Sequence, residues 1–361
     1  MDLRRPIALI GNDTLLDDLL RLAAVAGCEL ERVPDVEAMR QRWAAAPLVL
    51  IDDLMAEECA RATLPRRGRV LVVSHGEPPP SVWENAVAIG AERVIELPVG
   101  ESWLVGALAD VLDGPAESAG RVLAVLGGRG GAGASVFATA VAQSVLRRGG
   151  RALLVDCDPL GGGLDLTLGA ERQSGLRWPA LRLTGGRVAA AALRSALPGR
   201  PRGRGGLTVL SCDRAGPGPE PQAVAAVLDA GRRGGETVVC DLPRQLTDAA
   251  QAVLDRADLA VLVVPAEVRA CAAAKRVVER VAGRGVALRL LVRGPAPGGL
   301  TPPEVAEAVG ASLIAAMRPE PGLAGALERG RFPDRGRGPL ASAATTVLAE
   351  LSTESRRREA S

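Results

Sequence analysis

The sequence predicts an α/β fold with two domains, each built around a doubly wound parallel sheet. Its 361 residues are enough for two hydrophobic cores of ordinary size. Short apolar runs alternate with amphipathic helical patterns along most of the chain, which is typical of parallel strands joined by helices. The small polar segment DGPAESAG, residues 113–120, interrupts this alternation and predicts a linker.

Residues 1–112 form the first predicted domain. Four short apolar runs predict buried strands: PIALI, PLVLID, RVLVVS and RVIELP. Between them lie helical patterns such as TLLDDLLRLAAVAG and ESWLVGALADVL. Strands that alternate with helices in this way predict a sheet with helices on both faces.

Residues 121–352 form the second predicted domain, and residues 353–361 form a basic tail that we expect to be dispensable for folding. The domain's strands are predicted at RVLAVL, RALLVD, LTVLSC, TVVCDL, LAVLVVP and VALRLLV. The stretches LPGRPRGRGG and RGPAPGGLTPP are expected to be surface loops. Near the C-terminus, five apolar residues share a helical face that we expect to pack on the domain: Leu340, Ala344, Val347, Leu348 and Leu351.

Composition excludes several classes of function. The six cysteines include no C-x-x-C pair, which favours scattered core thiols over a metal cluster. The single histidine, His75, leaves no base for a Ser-His-Asp hydrolase in the second domain. No apolar run is long enough to span a bilayer and the N-terminus does not resemble a signal peptide, so we expect a soluble cytoplasmic protein.

Charge is divided unevenly between the two domains. Residues 1–120 carry 11 arginines against 20 acidic residues, and residues 121–361 carry 33 basic against 22 acidic residues, giving net charges of −9 and +11. This asymmetry favours an anionic partner for the second domain, either nucleic acid or an anionic membrane surface. Arginines that only keep the surface solvated would give the same count.

A phosphate-binding loop is predicted at GGRGGAGAS, residues 127–135. Gly128, Gly133 and Ser135 have the spacing of such a loop, and the stretch lies between a predicted strand and a predicted helix. Backbone N–H groups would converge there on phosphate oxygens, and the Ser135 hydroxyl would bind Mg²⁺. The position where the motif carries its lysine is Ala134. The residues of this loop expected to contact nucleotide are Gly128, Arg129, Gly130, Gly131, Gly133, Ala134 and Ser135.

Three aspartates stand at the carboxyl ends of predicted strands in the second domain. Asp156 and Asp158 follow RALLV, and Asp241 follows TVVC. A carboxylate in such a place can hold a metal or orient an attacking water. We predict that Asp156 and Asp241 bind Mg²⁺ together with Ser135, and that Asp158 is catalytic. Each aspartate taken alone would also suit a helix cap or a turn.

These stretches resemble the deviant Walker A loop, switch I, and Walker B with switch II of the MinD/ParA ATPases, and within them the actinobacterial CpaE/TadZ-like septum site-determining proteins (Ssd). The resemblance covers essentially the whole chain and implies a P-loop domain that binds ATP and Mg²⁺ as a homodimer. The family's signature lysine is Arg129 here, its phosphate-gripping lysine is Ala134, and Arg293 stands where an adenine-side asparagine is expected. Lys275, the only lysine, is far along the chain. We expect weak binding and slow or absent hydrolysis.

Residues 1–112 resemble a response-regulator receiver, a flavodoxin-like domain. Asp52 ends the strand PLVLID in the phosphoacceptor position. The turn at Gly11 lacks the acidic pair that holds Mg²⁺ in receivers, and Leu97 replaces the lysine that precedes a proline. Without that cation a phosphoryl group on Asp52 lacks its main charge partner. We expect a pseudo-receiver that docks a protein partner.

The resemblance implies a spatial regulator that places the division septum or a Tad-type pilus and secretion apparatus. Its partners would be cell-division or Tad proteins and, through a peripheral contact, anionic membrane or nucleoid DNA. Such a protein would lie at septa or poles, at the inner face of the membrane. The alternative is a nucleotide-free pseudo-ATPase scaffold that keeps the fold for protein contacts alone.

Overall fold

The structure is a computed structural model of the full chain, in which the described residues are 5–112, 120–181, 188–203, 205–214, 216, 218–333 and 336–359. The chain folds into two compact units. The first holds residues 5–112, and the second holds most of the described residues from Gly120 onward. Apart from Gly120, the predicted linker 113–120 lies outside the described residues.

The first unit contains a five-stranded parallel sheet. Its strands are β1 (Ile7–Leu9), β2 (Glu31–Arg32), β3 (Val49–Asp52), β4 (Val70–His75) and β5 (Arg93–Leu97). Its helices are α1 (Asp13–Val25), α2 (Val36–Arg42), α3 (Asp53–Arg61), α4 (Pro80–Ile89) and α5 (Glu101–Leu112). One core lies under α1 and α5, and the other lies under α2, α3 and α4. The strand order β2-β1-β3-β4-β5 is the flavodoxin-like order, which confirms the predicted fold class.

The second unit contains an eight-stranded sheet. Its strands are β6 (Arg121–Gly127), β7 (Arg151–Asp156), β8 (Gly199–Arg202), β9 (Gly205–Leu210), β10 (Thr237–Leu242), β11 (Leu259–Pro265), β12 (Ala287–Arg293) and β13 (Ser312–Met317). The strand order is β13-β12-β11-β6-β10-β7-β9-β8, and every neighbouring pair is parallel except β8 with β9. Strand β6 therefore lies between β10 and β11, inside the sheet.

Helices cover both faces of this sheet. Those that follow β6 along the chain are α6 (Ala134–Arg147), α7 (Leu164–Leu168), α8 (Ala190–Ala196), α9 (Pro221–Arg233), α10 (Asp248–Leu254), α11 (Val268–Val281), α12 (Pro302–Val309), α13 (Leu323–Leu327) and α14 (Pro339–Glu359). In α6, Phe137, Val141 and Val145 recur every four residues and are buried in the core that α6 shares with α14.

The C-terminal helix α14 packs on the second unit as predicted. Its five apolar residues named above are all buried. The helix does not end at residue 352, however, since it continues to Glu359, Ser355 is buried, and Arg289 donates a 2.7 Å hydrogen bond to Glu354. Residues 353–359 are thus part of helix α14 and do not form a separate tail.

Three edge strands were not predicted: β2 at the edge of the first sheet, and β8 and β13 at the two edges of the second. Gly199–Arg202, inside the expected loop LPGRPRGRGG, forms β8 and pairs antiparallel with β9. An edge strand needs hydrogen bonds on one side only, so it tolerates Pro201 and exposed arginines. Strand β13 forms the opposite edge, with most of its residues partly or fully exposed. Arg204, in the same expected loop, lies outside the described residues.

The cysteines belong to the buried cores. All six cysteines are buried and unpaired, as expected for core thiols. Among the described helices, none combines the length and the apolar character needed to cross a bilayer.

Candidate functional site

The phosphate-loop motif connects strand β6 to helix α6. Its N-cap residue, Gly133, has a φ of 96°, a left-handed conformation that glycine adopts without steric cost. A Cβ built on Gly128 would lie 2.8 Å from Val264 Cγ2 and 2.9 Å from Ala274 Cβ. Only glycine therefore lets the loop pass this close to strand β11 and helix α11.

The tip of the loop borders open space. A Cβ built on Gly130 or on Gly131 would meet no other atom within 4 Å. Helix α6 starts at Ala134, and the first turn of a helix offers backbone N–H groups without intrahelical partners at the positive end of its dipole. This combination suits an anionic ligand such as phosphate.

Ser135 and Asp241, two of the predicted Mg²⁺ ligands, lie together. The Ser135 hydroxyl lies beside the carboxylate of Asp241, which is only 4% exposed near the end of β10. The pKa of Asp241 is raised to about 7, chiefly by burial, with the nearby Ser135 hydroxyl lowering it and the charges of Asp156 and Asp158 adding to the rise. One carboxylate and one hydroxyl match what a protein usually supplies to Mg²⁺, whose remaining ligands are phosphate oxygens and water.

Asp156 is directly opposite Asp241 in the register of β7 and β10. Its carboxylate accepts four hydrogen bonds, from the backbone N–H groups of Asp158 (3.1 Å), Leu164 (3.1 Å) and Cys212 (3.2 Å) and from Ser211 Oγ (3.3 Å). Burial raises the pKa of Asp156, and these hydrogen bonds offset part of the rise. Asp156 thus ties the loop after β7 to its strand, and a metal would compete with those bonds.

Asp158, the predicted catalytic residue, lies half-buried in the turn after β7. Its Oδ1 accepts a 3.1 Å hydrogen bond from the backbone N–H of Leu160. It is close enough to Asp241 to influence the pKa of that carboxyl. The adjacent Leu160 side chain is 95% exposed. The structure therefore brings Asp158 to the same sheet edge as Asp241, beside solvent.

An ion-pair network behind the loop after β7 was not predicted. The fully buried side chain of Asp165 pairs with Arg177 (Nε to Oδ2, 3.1 Å) and with Arg214 (Nη2 to Oδ1, 2.8 Å). Ser211 Oγ lies 3.2 Å from Asp165 Oδ1 and shares its single proton between this carboxylate and that of Asp156. Burial raises the pKa of Asp165, but the hydrogen bonds and charges of Arg214 and Arg177 outweigh it and lower the pKa overall. No motif signals this network because its members are far apart in sequence.

The residue at the signature lysine position is held by an ion pair within the same chain. Arg129 Nη2 lies 2.9 Å from Oε1 of Glu267, which precedes helix α11. Each side chain is a little over one-third exposed, at 38% and 36%. Sequence reasoning missed Glu267, since no motif links it to the loop.

Arg293 reaches the loop from the end of β12. Its Nη1 atom would lie 3.1 Å from a Cβ built on Gly133. The Nε atoms of Arg293 and Arg129 are buried and have no hydrogen-bond partner among the described residues. A cavity of about 290 Å³ opens beside Arg293 and is lined in part by Gly133, Pro295 and Met317. The predicted nucleotide-contacting residues are thus gathered at one edge of the sheet.

In the first unit, Asp52 is buried and its carboxylate is occupied. It accepts hydrogen bonds from the backbone N–H groups of Gly11 (2.6 Å), Asn12 (2.9 Å) and Met55 (2.8 Å) and has no exposed surface. The bond from Met55 caps helix α3. Leu97, at the receiver's lysine position, is 1% exposed. In this arrangement Asp52 is a structural cap.

Comparison with known sequences establishes the family. A family model described as the Rv3660c-like, CheY-like N-terminal domain matches residues 9–119. The uncharacterized protein Rv3660c of Mycobacterium tuberculosis H37Rv is 48% identical over 340 residues, which cover 93% of this chain and 95% of that protein. The chain belongs to the Rv3660c-like family. The CheY-like description agrees with the strand order of the first unit.

The second unit of this Rv3660c-like chain has the fold of the MinD/ParA ATPases. A ParA family ATPase from Chlorobium tepidum aligns with 62% of this chain and 96% of its own, at a TM-score of 0.54 and 14% identity. MinD in the MinC:MinD cell division complex of Aquifex aeolicus aligns with 64% of this chain and 96% of its own, at a TM-score of 0.53 and 21% identity. MinD from Pyrococcus horikoshii, complexed with Mg-ADP, aligns with 64% of this chain and 96% of its own, at a TM-score of 0.50 and 17% identity. At sequence identities this low, the structural similarity establishes the fold alone.

Proposed function

We propose that the second unit binds ATP with Mg²⁺ and that the chain is a nucleotide-dependent regulator of the MinD/ParA type. The observation that carries this proposal is the placement of the Ser135 hydroxyl beside the buried Asp241, next to a loop that keeps the glycines of the motif. A buried carboxylate whose pKa is raised to about 7 costs folding stability, so its presence favours a use such as holding Mg²⁺. MinD from P. horikoshii, which has the same fold, was solved with Mg-ADP.

We infer that ATP hydrolysis is slow or absent. Ala134 occupies the place of the family's phosphate-gripping lysine. A charged hydrogen bond to a phosphate contributes about 1.5–3 kcal/mol, and more when charge builds in a transition state. Asp158 remains the candidate for orienting the attacking water. The loss of the lysine therefore affects turnover more than binding.

Isothermal titration of the full chain with ATP and Mg²⁺ tests the nucleotide proposal. We expect saturable binding that is weakened in Ser135→Ala, which removes the hydroxyl beside Asp241. Ser195→Ala removes an exposed serine in α8 and is the matched control, with binding unchanged. Absence of binding heat together with an unchanged melting temperature at high ATP would contradict the proposal.

We propose further that the nucleotide-bound form is a homodimer that marks septa or poles, in a role related to that of the CpaE/TadZ-like septum site-determining proteins or of Tad apparatus positioning. A groove of about 370 Å³, lined by Arg244, Arg276 and Arg280, supports contact with anionic membrane or nucleoid DNA. None of these three guanidinium groups is paired with a carboxylate in the described part of the chain. Such a contact would be salt-sensitive.

A fluorescent fusion of the full chain tests the positioning role. We expect foci at septa or poles that are lost in Ser135→Ala, and longer cells when the wild-type chain is overproduced. Diffuse fluorescence with normal division would count against this role.

The alternative function is a nucleotide-free scaffold. Two observations favour it: Ala134 removes the loop's lysine, and the four hydrogen bonds to Asp156 occupy one of the predicted metal ligands. A scaffold would form the same foci in Ser135→Ala as in the wild type. The titration and the fusion together separate the two functions.

A further inference from the structure

The start of helix α6 has a positive side chain beside it although the loop has no lysine. Ala134 offers only a methyl group, and Arg129, the loop's own cation, is engaged by Glu267. Arg293 comes from β12, two strands away from β6 in the sheet. Its guanidinium nevertheless reaches Gly133, the N-cap of α6, with Nη1 3.1 Å from the built Cβ position.

The charge of Arg293 is poorly compensated in the described structure. Burial lowers the pKa of Arg293, the positive charge of Arg129 lowers it further, and Glu267 opposes the shift. No carboxylate of the described residues pairs with Arg293, and its Nε is buried without a hydrogen-bond partner among them. Arginine stays protonated in proteins, so two like charges share the mouth of the loop. An anion between them would relieve the repulsion and accept charge-assisted hydrogen bonds.

We propose that Arg293 is the phosphate-binding cation of this site and replaces, from another strand, the lysine that the loop lacks. The inference rests on the proposed nucleotide function and deepens it by assigning the terminal phosphates of a nucleoside triphosphate to Arg293. A planar guanidinium presents paired donors that match the oxygens of a phosphate. A lysine ammonium at position 134 would instead contact those oxygens as a point charge. Weak hydrolysis is compatible with this replacement.

The position of the guanidinium favours phosphate over the base as its ligand. Gly133 marks the helix start, where a phosphate binds to backbone N–H groups. The neighbouring cavity of about 290 Å³ is lined by apolar side chains such as Val136, Pro295 and Met317, which suit a base. Arg293 lines this cavity at its Gly133 end.

Affinities for ATP and AMP, measured on the full chain with Mg²⁺ by competition against a fluorescent ATP analogue, test the inference. In Arg293→Ala we expect ATP to bind roughly tenfold more weakly or worse, while AMP changes little, because a charged phosphate contact is lost. Arg293→Lys should keep most of the preference for ATP. Arg148→Ala, which removes an exposed arginine at the C-terminal end of α6, away from the loop, is the matched control and should leave both affinities unchanged.

A rescue variant separates a phosphate role from a structural one. Adding Ala134→Lys to Arg293→Ala should restore the preference for ATP, since a cation returns to the same phosphate. Equal losses for ATP and AMP, or no loss in a folded Arg293→Ala chain that binds ATP, would overturn the inference while leaving the nucleotide function intact. A wild-type chain that binds no ATP would overturn both.

Discussion

Replacing Asp165 with asparagine should destabilise the second unit by about 3 kcal/mol. The substitution keeps the size of the side chain but removes the charge that faces Arg177 and Arg214. Removing one partner of a buried ion pair costs about 3–5 kcal/mol, whereas exposed pairs contribute about 0–1 kcal/mol. Asp165 is 0% exposed and Arg177 is 13% exposed, but Arg214 is 43% exposed. The lower end of the range follows because solvent screens one of the two pairs.

The cost should depend on pH in a defined direction. The pKa of Asp165 is lowered in the folded chain from its ordinary value of 3.8. A group with a lowered folded pKa stabilises the fold fully above its unfolded pKa and loses this contribution as the pH falls through the folded value. The difference between wild type and Asp165→Asn should therefore be largest at neutral pH and should shrink below about pH 4.

Urea unfolding of the full chain at pH 7 measures the effect, and peptide-resolved hydrogen exchange assigns the transition to β7 and α7. We expect a lower midpoint with an unchanged m-value. Asp229→Asn is the matched control, because Asp229 is 51% exposed and lies 3.7 Å from Arg256, so its loss should cost less than about 1 kcal/mol. An Asp165→Asn chain as stable as this control would refute the reasoning.

Three further predictions concern other parts of the chain. Asp241→Asn should stabilise the second unit by up to about 4 kcal/mol at pH 8 and by little at pH 4, because a carboxyl group whose pKa rises from 3.8 to about 7 on folding costs stability only above pH 3.8. Urea unfolding at both pH values measures this, and a gain independent of pH would contradict the cause. Ending the chain after residue 352 should cost about 1–2 kcal/mol by the same assay, since Arg289 loses Glu354, and unchanged stability would contradict the packing of α14. Small phosphodonors should leave no acyl phosphate on Asp52, because three backbone N–H groups occupy its carboxylate; a phosphorylated mass absent from Asp52→Asn would show otherwise.

The interior strands were predictable because strands that are buried on both faces have continuous apolar sequences. LAVLVVP coincides with β11, which is buried along its whole length. The sheet edges were not predictable in this way. GRPR contains a proline and two arginines, which favour a loop, yet pairing with β9 makes it strand β8. Pairing with β9 therefore overrides the local sequence preference for a loop. This happens most easily in an edge strand, which needs hydrogen bonds on one side only.

Within the candidate site, the loop and its aspartates follow from motif spacing, but the contacts between them do not. Arg129 and Glu267 are 138 positions apart, and no local pattern joins them. Arg293 was expected on the base side because only its place in the sequence was known. Its approach to Gly133 depends on the side-chain conformation of Arg293 at the end of β12, which motif spacing does not determine.

Strand β6 is the first strand of its sheet to be synthesised but one of the last to acquire its neighbours. Arg121 pairs with Thr237 of β10, and Leu123 pairs with Leu259 of β11. Such distant pairing is slow to form, and until it forms the glycine loop has no strand on either side to hold it. A nascent chain that has not reached β11 therefore carries the glycine loop before the neighbouring strands that hold it in place. If the chain binds ATP as proposed, the nucleotide stabilises only molecules whose sheet is already assembled, so that bound ATP would mark a fully folded chain.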